Sequence, residues 1–165
     1  MNSEYFLRKD IKSTIFNILH LLKKNAKKLI YITKMYAHPY LIDFSKIGKT
    51  IEGYISVAEK DKLPFEVKRI YWTYFTPEDV VRGRHAHHNL EQILVAVAGK
   101  ITVTTQMPGE EEKQFILETA NKGIFLPKYT WHRMQYSHNA VQMCIANMAY
   151  EESDYIRDYE EFKKL

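Results

Sequence analysis

Ile93-Leu94-Val95-Ala96-Val97, then Ala98-Gly99-Lys100, then Ile101-Thr102-Val103-Thr104-Thr105: two short apolar or β-branched runs flank a glycine turn. Runs of about five such residues bounded by turn residues read as strands. The pattern continues in both directions. Tyr40 to Phe44, Gly53 to Ala58, Val67 to Phe75, Gln114 to Leu117, Gly123 to Leu126 and Val141 to Met148 are further strand-like runs. Lys62-Leu63-Pro64, Thr76-Pro77-Glu78-Asp79, Met107-Pro108-Gly109 and Ala120-Asn121-Lys122-Gly123 punctuate them. Many short strands with Gly and Pro turns predict an all-β sandwich or barrel over residues 38–165. The charged tail from Glu151 to Leu165 reads as a short terminal helix.

Residues 1–37 follow a different rule. Ile11, Ile15, Ile18, Leu19, Leu22, Ala26 and Leu29 recur at spacings of three and four, which predicts an amphipathic helix over residues 5–30. Lys12, Lys23, Lys24, Lys27 and Lys28 occupy much of its other side. Such a helix lies on the domain or a partner subunit, or on an anionic membrane surface. A start of translation at Met35 would make it no part of the protein. The net charge of +4 comes from this segment, since residues 1–34 carry eight Lys or Arg against Glu4 and Asp10. Nucleic-acid binding by the β domain is therefore not expected.

The chain has 165 residues, 45% of them hydrophobic and 27% charged, enough for one sizeable core with an added segment. Its one cysteine, Cys144, excludes an internal disulfide and a multi-cysteine zinc site, and reads as a buried thiol. With no secretion signal, the expected compartment is the cytoplasm. No apolar stretch reaches the roughly 20 residues that span a bilayer.

The chemistry concentrates in Arg82-Gly83-Arg84-His85-Ala86-His87-His88-Asn89-Leu90-Glu91-Gln92. Residues two apart on a strand share a face, so His85 and His87 point together into the barrel and His88 points away. Imidazole titrates closest to neutrality, and a pair can both take and give protons. His-x-His on a barrel also suits a metal, usually with a glutamate and a later histidine. Gln92 stands where the glutamate is expected, and an amide is a poor transition-metal ligand. His132 stands near the expected later position. A third reading makes the two histidines satisfied core residues.

Arg82-Gly83-x-His85-Ala86-His87 with Leu90-Glu91-Gln92 resembles the signature of the dTDP-4-keto-6-deoxyglucose 3,4-ketoisomerases, the WxcM-like cupins. Leu63 to Tyr71, Trp131-His132-Arg133-Met134 and Asp154 to Phe162 are similar to three further segments of that family, in order. The resemblance covers residues 40–163. It implies a cupin jelly-roll barrel, a homodimer that exchanges N-terminal strands, a dTDP-linked 4-keto-6-deoxyhexose as substrate, and catalysis with no metal or cofactor. By the same resemblance His85 and His87 match the catalytic pair, Tyr71 a tyrosine beside them, and Arg82 a motif arginine. The dTDP group requires aromatic surfaces and cations. Candidate substrate contacts are Arg82, Arg69, Lys100, Gln92, Trp131 and His132, with Trp72, Tyr74 and Arg133 as further aromatic and charged candidates. No Gly-x-Gly-x-x-Gly fingerprint is present, as fits a reaction that only moves hydrogen within the sugar.

The chain departs from the family in one stretch. An Arg-Gly or Tyr-Arg pair often precedes the second strand there, whereas this chain reads Lys49-Thr50-Ile51-Glu52-Gly53-Tyr54. His132 resembles the galacto-forming type. The configuration of the product at C4 is left open by this disagreement.

Overall fold

The Ala98-Gly99-Lys100 turn does not close a hairpin; it carries the chain from one sheet to another. Strand β6 (Gln92–Ala98) lies in a sheet of order β1-β9-β6-β11-β4, and β7 (Ile101–Gln106) in a second of order β12-β5-β10-β7-β8. The other members of the first sheet are β1 (Tyr40–Asp43), β4 (Arg69–Thr73), β9 (Lys122–Leu126) and β11 (Val141–Ala146). Those of the second are β5 (Arg82–His87), β8 (Lys113–Leu117), β10 (Trp131–Tyr136) and β12 (Tyr155–Ile156). All pairings are antiparallel. From β4 to β7 each strand changes sheet, as in a jelly roll. Gly99 makes the corner at φ +68°, and a Cβ there would stand 2.6 Å from the Ala140 Cα. Only glycine fits that approach.

The computed structural model describes Ile18, residues 21–23 and residues 37–165. The helix expected over residues 5–30 falls largely outside the described residues; Ile18 and residues 21–23 are helical and exposed. Among the described residues, no helix is long and apolar enough to cross a membrane.

The core lies between the sheets, where Leu94, Ile101, Val103, Leu117, Ile124 and Leu126 meet. A second cluster covers the outer face of the first sheet: Ile93, Val95, Phe125 and Ile145 pack under Phe44, Leu63 and Phe65. Residues 92–96 of β6 are thus buried on both faces, which explains the apolar run Ile93 to Ala96.

Two elements differ from expectation. Ser45–Lys49 forms β2, paired with β3 (Gly53–Val57) in a separate hairpin, although the run Ser-Lys-Ile-Gly-Lys carries no strand signal. The C-terminal tail is only partly helical. It makes a 3-10 turn (Glu152–Asp154), then β12 against β5, then helix α1 (Tyr159–Phe162). Asp158 caps α1 by accepting from the backbone N–H of Glu160 and Glu161. Phe162 is fully buried with Trp131, Ile156 and Ala86, which holds the tail onto β5.

Candidate active site

Strand β5 does not alternate regularly. His85 pairs with His132 and Gly83 with Arg133, so Arg84 is an extra residue without a partner in the ladder. Gly83 and Arg84 both take positive φ, +90° and +60°, and a Cβ on Gly83 would lie 2.7 Å from the His132 carbonyl oxygen. A bulge of this kind re-aims side chains next to a site. On a regular strand Arg82 and His85 would face opposite ways. Here both line one cavity of about 150 Å³ with Tyr71, Gln92, His132 and Tyr155.

The ring of His85 lies 4.9 Å from that of His87 and 4.6 Å from that of His132, centroid to centroid. One ring nitrogen from each of the three lies within 4.8 Å of the others. His87 does not front the cavity, although the two-residue spacing led us to expect that both rings would. The pairing of β12 with β5 sets Tyr155 over it, ring centroids 4.3 Å apart, and His87 borders an adjoining cleft with Arg69 and Asp154. His88 turns away and meets Tyr129 edge-on.

Each imidazole is held by a partner of its own. His87 Nδ1 donates to Asp154 Oδ2 at 3.1 Å, both side chains being buried. His132 Nδ1 donates to the Thr130 carbonyl at 3.0 Å. His85 bonds the backbone at Gly83. Burial, then the neighbouring His132 and His87, push His85 down to about 2. Burial first, then His132 and the guanidiniums of Arg69 and Arg157, push His87 down to about 3. Burial also lowers His132. All three are neutral at pH 7 and present lone pairs, as a base requires.

Gln92 ties the floor of the cavity together. Its Oε1 accepts from the Tyr71 hydroxyl at 3.3 Å and the Cys144 thiol at 3.1 Å. Its Nε2 lies 3.3 Å from His132 Nε2, which must accept because Nδ1 is the donor. Burial pushes the Tyr71 phenol up and the Cys144 thiol up to about 12, so neither ionises at neutral pH.

This arrangement tests whether the three imidazoles suit a metal ion. The lone pair of His132 is already engaged by the Gln92 amide, and the Gln92 oxygen is taken by Tyr71 and Cys144. An ion there would have to take the His132 lone pair from the Gln92 amide and would find no carboxylate in the cluster.

Of the expected substrate contacts, Arg82, Gln92 and His132 stand in the cavity with His85 and Tyr71. Arg69 lies beside it, its guanidinium 5.0 Å from the Tyr71 ring and its Nε buried without a hydrogen-bond partner among the described residues. Lys100 is carried by the sheet-to-sheet turn into a separate concavity with Glu78 and Gln135. Trp131 precedes His132 on β10 and so faces the other way, buried against Tyr159 and Phe162. The structure brings neither to the histidines. Asp154 and Tyr155, which it does bring there, had no assigned role, because a short charged tail gives no local sign that it pairs with β5.

Known proteins resemble this chain in sequence and in fold. Residues 35–165 match the family model described as WxcM-like, C-terminal. The chain belongs to that family. It is 34% identical over 125 residues, 75% of this chain and 89% of the relative, to a TDP-4-oxo-6-deoxy-alpha-D-glucose-3,4-oxoisomerase of Aneurinibacillus thermoaerophilus. A 3,4-ketoisomerase from Helicobacter canadensis superimposes with a TM-score of 0.72 at 34% identity, covering 76% of this chain and 95% of that one. QdtA of Thermoanaerobacterium thermosaccharolyticum, a 3,4-ketoisomerase solved as a histidine-to-asparagine variant with TDP-4-keto-6-deoxyglucose, gives 0.72 at 27% identity, covering 79% and 94%. Family members thus share the cavity's fold.

Proposed function

We propose that this WxcM-like chain is a sugar-nucleotide 3,4-ketoisomerase that converts dTDP-4-keto-6-deoxy-D-glucose to a dTDP-3-keto-6-deoxyhexose. The observation that carries the reading is a neutral imidazole, His85, lining a cavity together with His132, with His87 behind it. The C4 carbonyl acidifies the hydrogen on C3. His85 removes that proton while O4 gains one, giving an enediol; C4 is then protonated as O3 loses its proton, and the ketone rests at C3. Acid–base groups of this kind each contribute about a hundredfold to ten-thousandfold. Tyr71, held by Gln92, orients the site, and Arg82 at its wall meets the diphosphate. Arg69 is the second cation beside it.

The same reading makes the enzyme cytoplasmic, places it in the synthesis of a 3-amino-3,6-dideoxyhexose for lipopolysaccharide or O-antigen, and makes it a homodimer with exchanged N-terminal strands. Support for the dimer comes from apolar surface that a second copy would cover. Ile47, Ile51 and Ile55 on the β2–β3 hairpin, and Ile70 and Trp72 on edge strand β4, are all more than half exposed.

Incubation with dTDP-4-keto-6-deoxyglucose in D₂O, followed by NMR, tests the activity. A 3-keto species with deuterium at C4 is expected. Label at C3 or C5 with the ketone still at C4 would instead identify an epimerase, and an unchanged sugar a binding protein.

A further inference from the structure

The C-terminal segment contributes a buried carboxylate to the histidine cluster. Asp154 ends a 3-10 turn, and both of its oxygens are engaged. Oδ1 accepts from the backbone N–H of Asn89 at 2.7 Å and from Asn89 Nδ2 at 3.1 Å. Oδ2 accepts from the backbone N–H of Leu90 at 3.1 Å and from His87 Nδ1 at 3.1 Å. The carboxylate therefore has two separable roles: it braces the turn after β5, and it grips one ring nitrogen of His87.

The second role has a chemical consequence. A neutral imidazole has one N–H, and a carboxylate can only accept. The contact fixes the proton on Nδ1 and leaves Nε2 as the acceptor. The ring next to His87 is His85, which fronts the cavity. We propose that Asp154 is a positioning residue of the ketoisomerase, holding His87 in its Nδ1–H tautomer so that a fixed acceptor, with a negative charge behind it, stands next to the proton-carrying His85. Asp154 itself touches no substrate. Its work falls in the moment after His85 has taken the C3 proton, when a positive charge sits in a desolvated cluster with the Asp154 carboxylate one ring away. The idea rests on the ketoisomerase reading for its kinetic part and on geometry alone for the tautomer.

NMR of the protein with ¹⁵N-labelled histidine is the direct test. His87 is expected to show a protonated Nδ1 and a bare Nε2 in the wild type; the opposite tautomer there overturns the proposal without any variant. Asp154→Asn keeps the size and an oxygen for Asn89 but turns an amide toward His87. It is expected to switch the tautomer and lower kcat about a hundredfold, with KM within threefold. Asn89→Ala removes one of the turn-bracing bonds without touching His87. It is expected to lower the melting temperature, keep the wild-type tautomer and hold kcat within threefold. If Asp154→Asn retains the wild-type tautomer or rate, or if Asn89→Ala loses as much activity, Asp154 only braces the turn. A wild type that makes no 3-keto sugar would sink the ketoisomerase reading while the spectrum still decides the tautomer.

Discussion

At the scale of single residues, burial decides the chemistry. His85 and His87 stay neutral because a charged ring would be taken out of water among other imidazoles. Removing the cavity-facing base should therefore cost most of the rate. His85→Asn is expected to retain its fold and lose about a hundredfold to ten-thousandfold in kcat, followed as 3-keto sugar formed per minute. His88→Asn, on the opposite face, should keep its rate. The neighbourhood of His85 and His87 was legible in the sequence, since a two-residue spacing on a strand determines it. That His85 of this pair lines the cavity and His87 does not was not legible, and neither was Asp154. Asp154 lies 67 residues beyond His87, and no local pattern marks one acidic residue in an acidic tail.

At the scale of elements, the β5 bulge is the device that brings an arginine and a histidine of opposite parity to the same wall. Gly83 makes it. Gly83→Ala would place a methyl 2.7 Å from a backbone oxygen at a φ of +90°. We expect a loss of about 2 kcal/mol or more, since the left-handed region alone costs roughly 1–2 kcal/mol for a residue with a Cβ. Urea unfolding measures it, and a falling rate should accompany it as His85 and His132 are pushed apart. Alternation and turn residues foretold strands β1, β3, β4, β6, β7, β8, β9 and β11 to within a few residues. They could not reveal β2, whose Ser-Lys-Ile-Gly-Lys becomes a strand only through its partner β3. They also missed the bulge, because Arg-Gly-Arg reads equally well as regular strand. The terminal tail shows the same limit: its helix was visible in composition, while β12 exists only because β5 lies beside it.

At the scale of the whole molecule, the buried histidines couple folding to acidity. In the folded chain His85 and His87 are lowered to about 2 and about 3, and His132 is lowered too. Once unfolded they return toward 6.5. Between those limits the unfolded chain binds more protons, so stability is intact above about pH 6.5 and falls as the pH drops below it. The slope approaches about 1.4 kcal/mol per pH unit for the buried ring of His87, and His132 adds to it in the same direction. Melting temperatures at pH 7.5, 6.5 and 5.5 should be level over the first step and fall over the second; a flat profile would mean the rings are not held neutral. The local pattern of short strands and turns predicted a sandwich or barrel, whereas the jelly-roll order was implied by family resemblance, because nothing in a strand states which sheet it will join. Strand β6, enclosed on both sides, has a last consequence. From Gln92 to Ala96 neither side faces solvent, so that stretch has almost no freedom to vary, and any remodelling of this scaffold for a different sugar, by evolution or by engineering, must be written into the opposite wall, on β5, β10 and the tail.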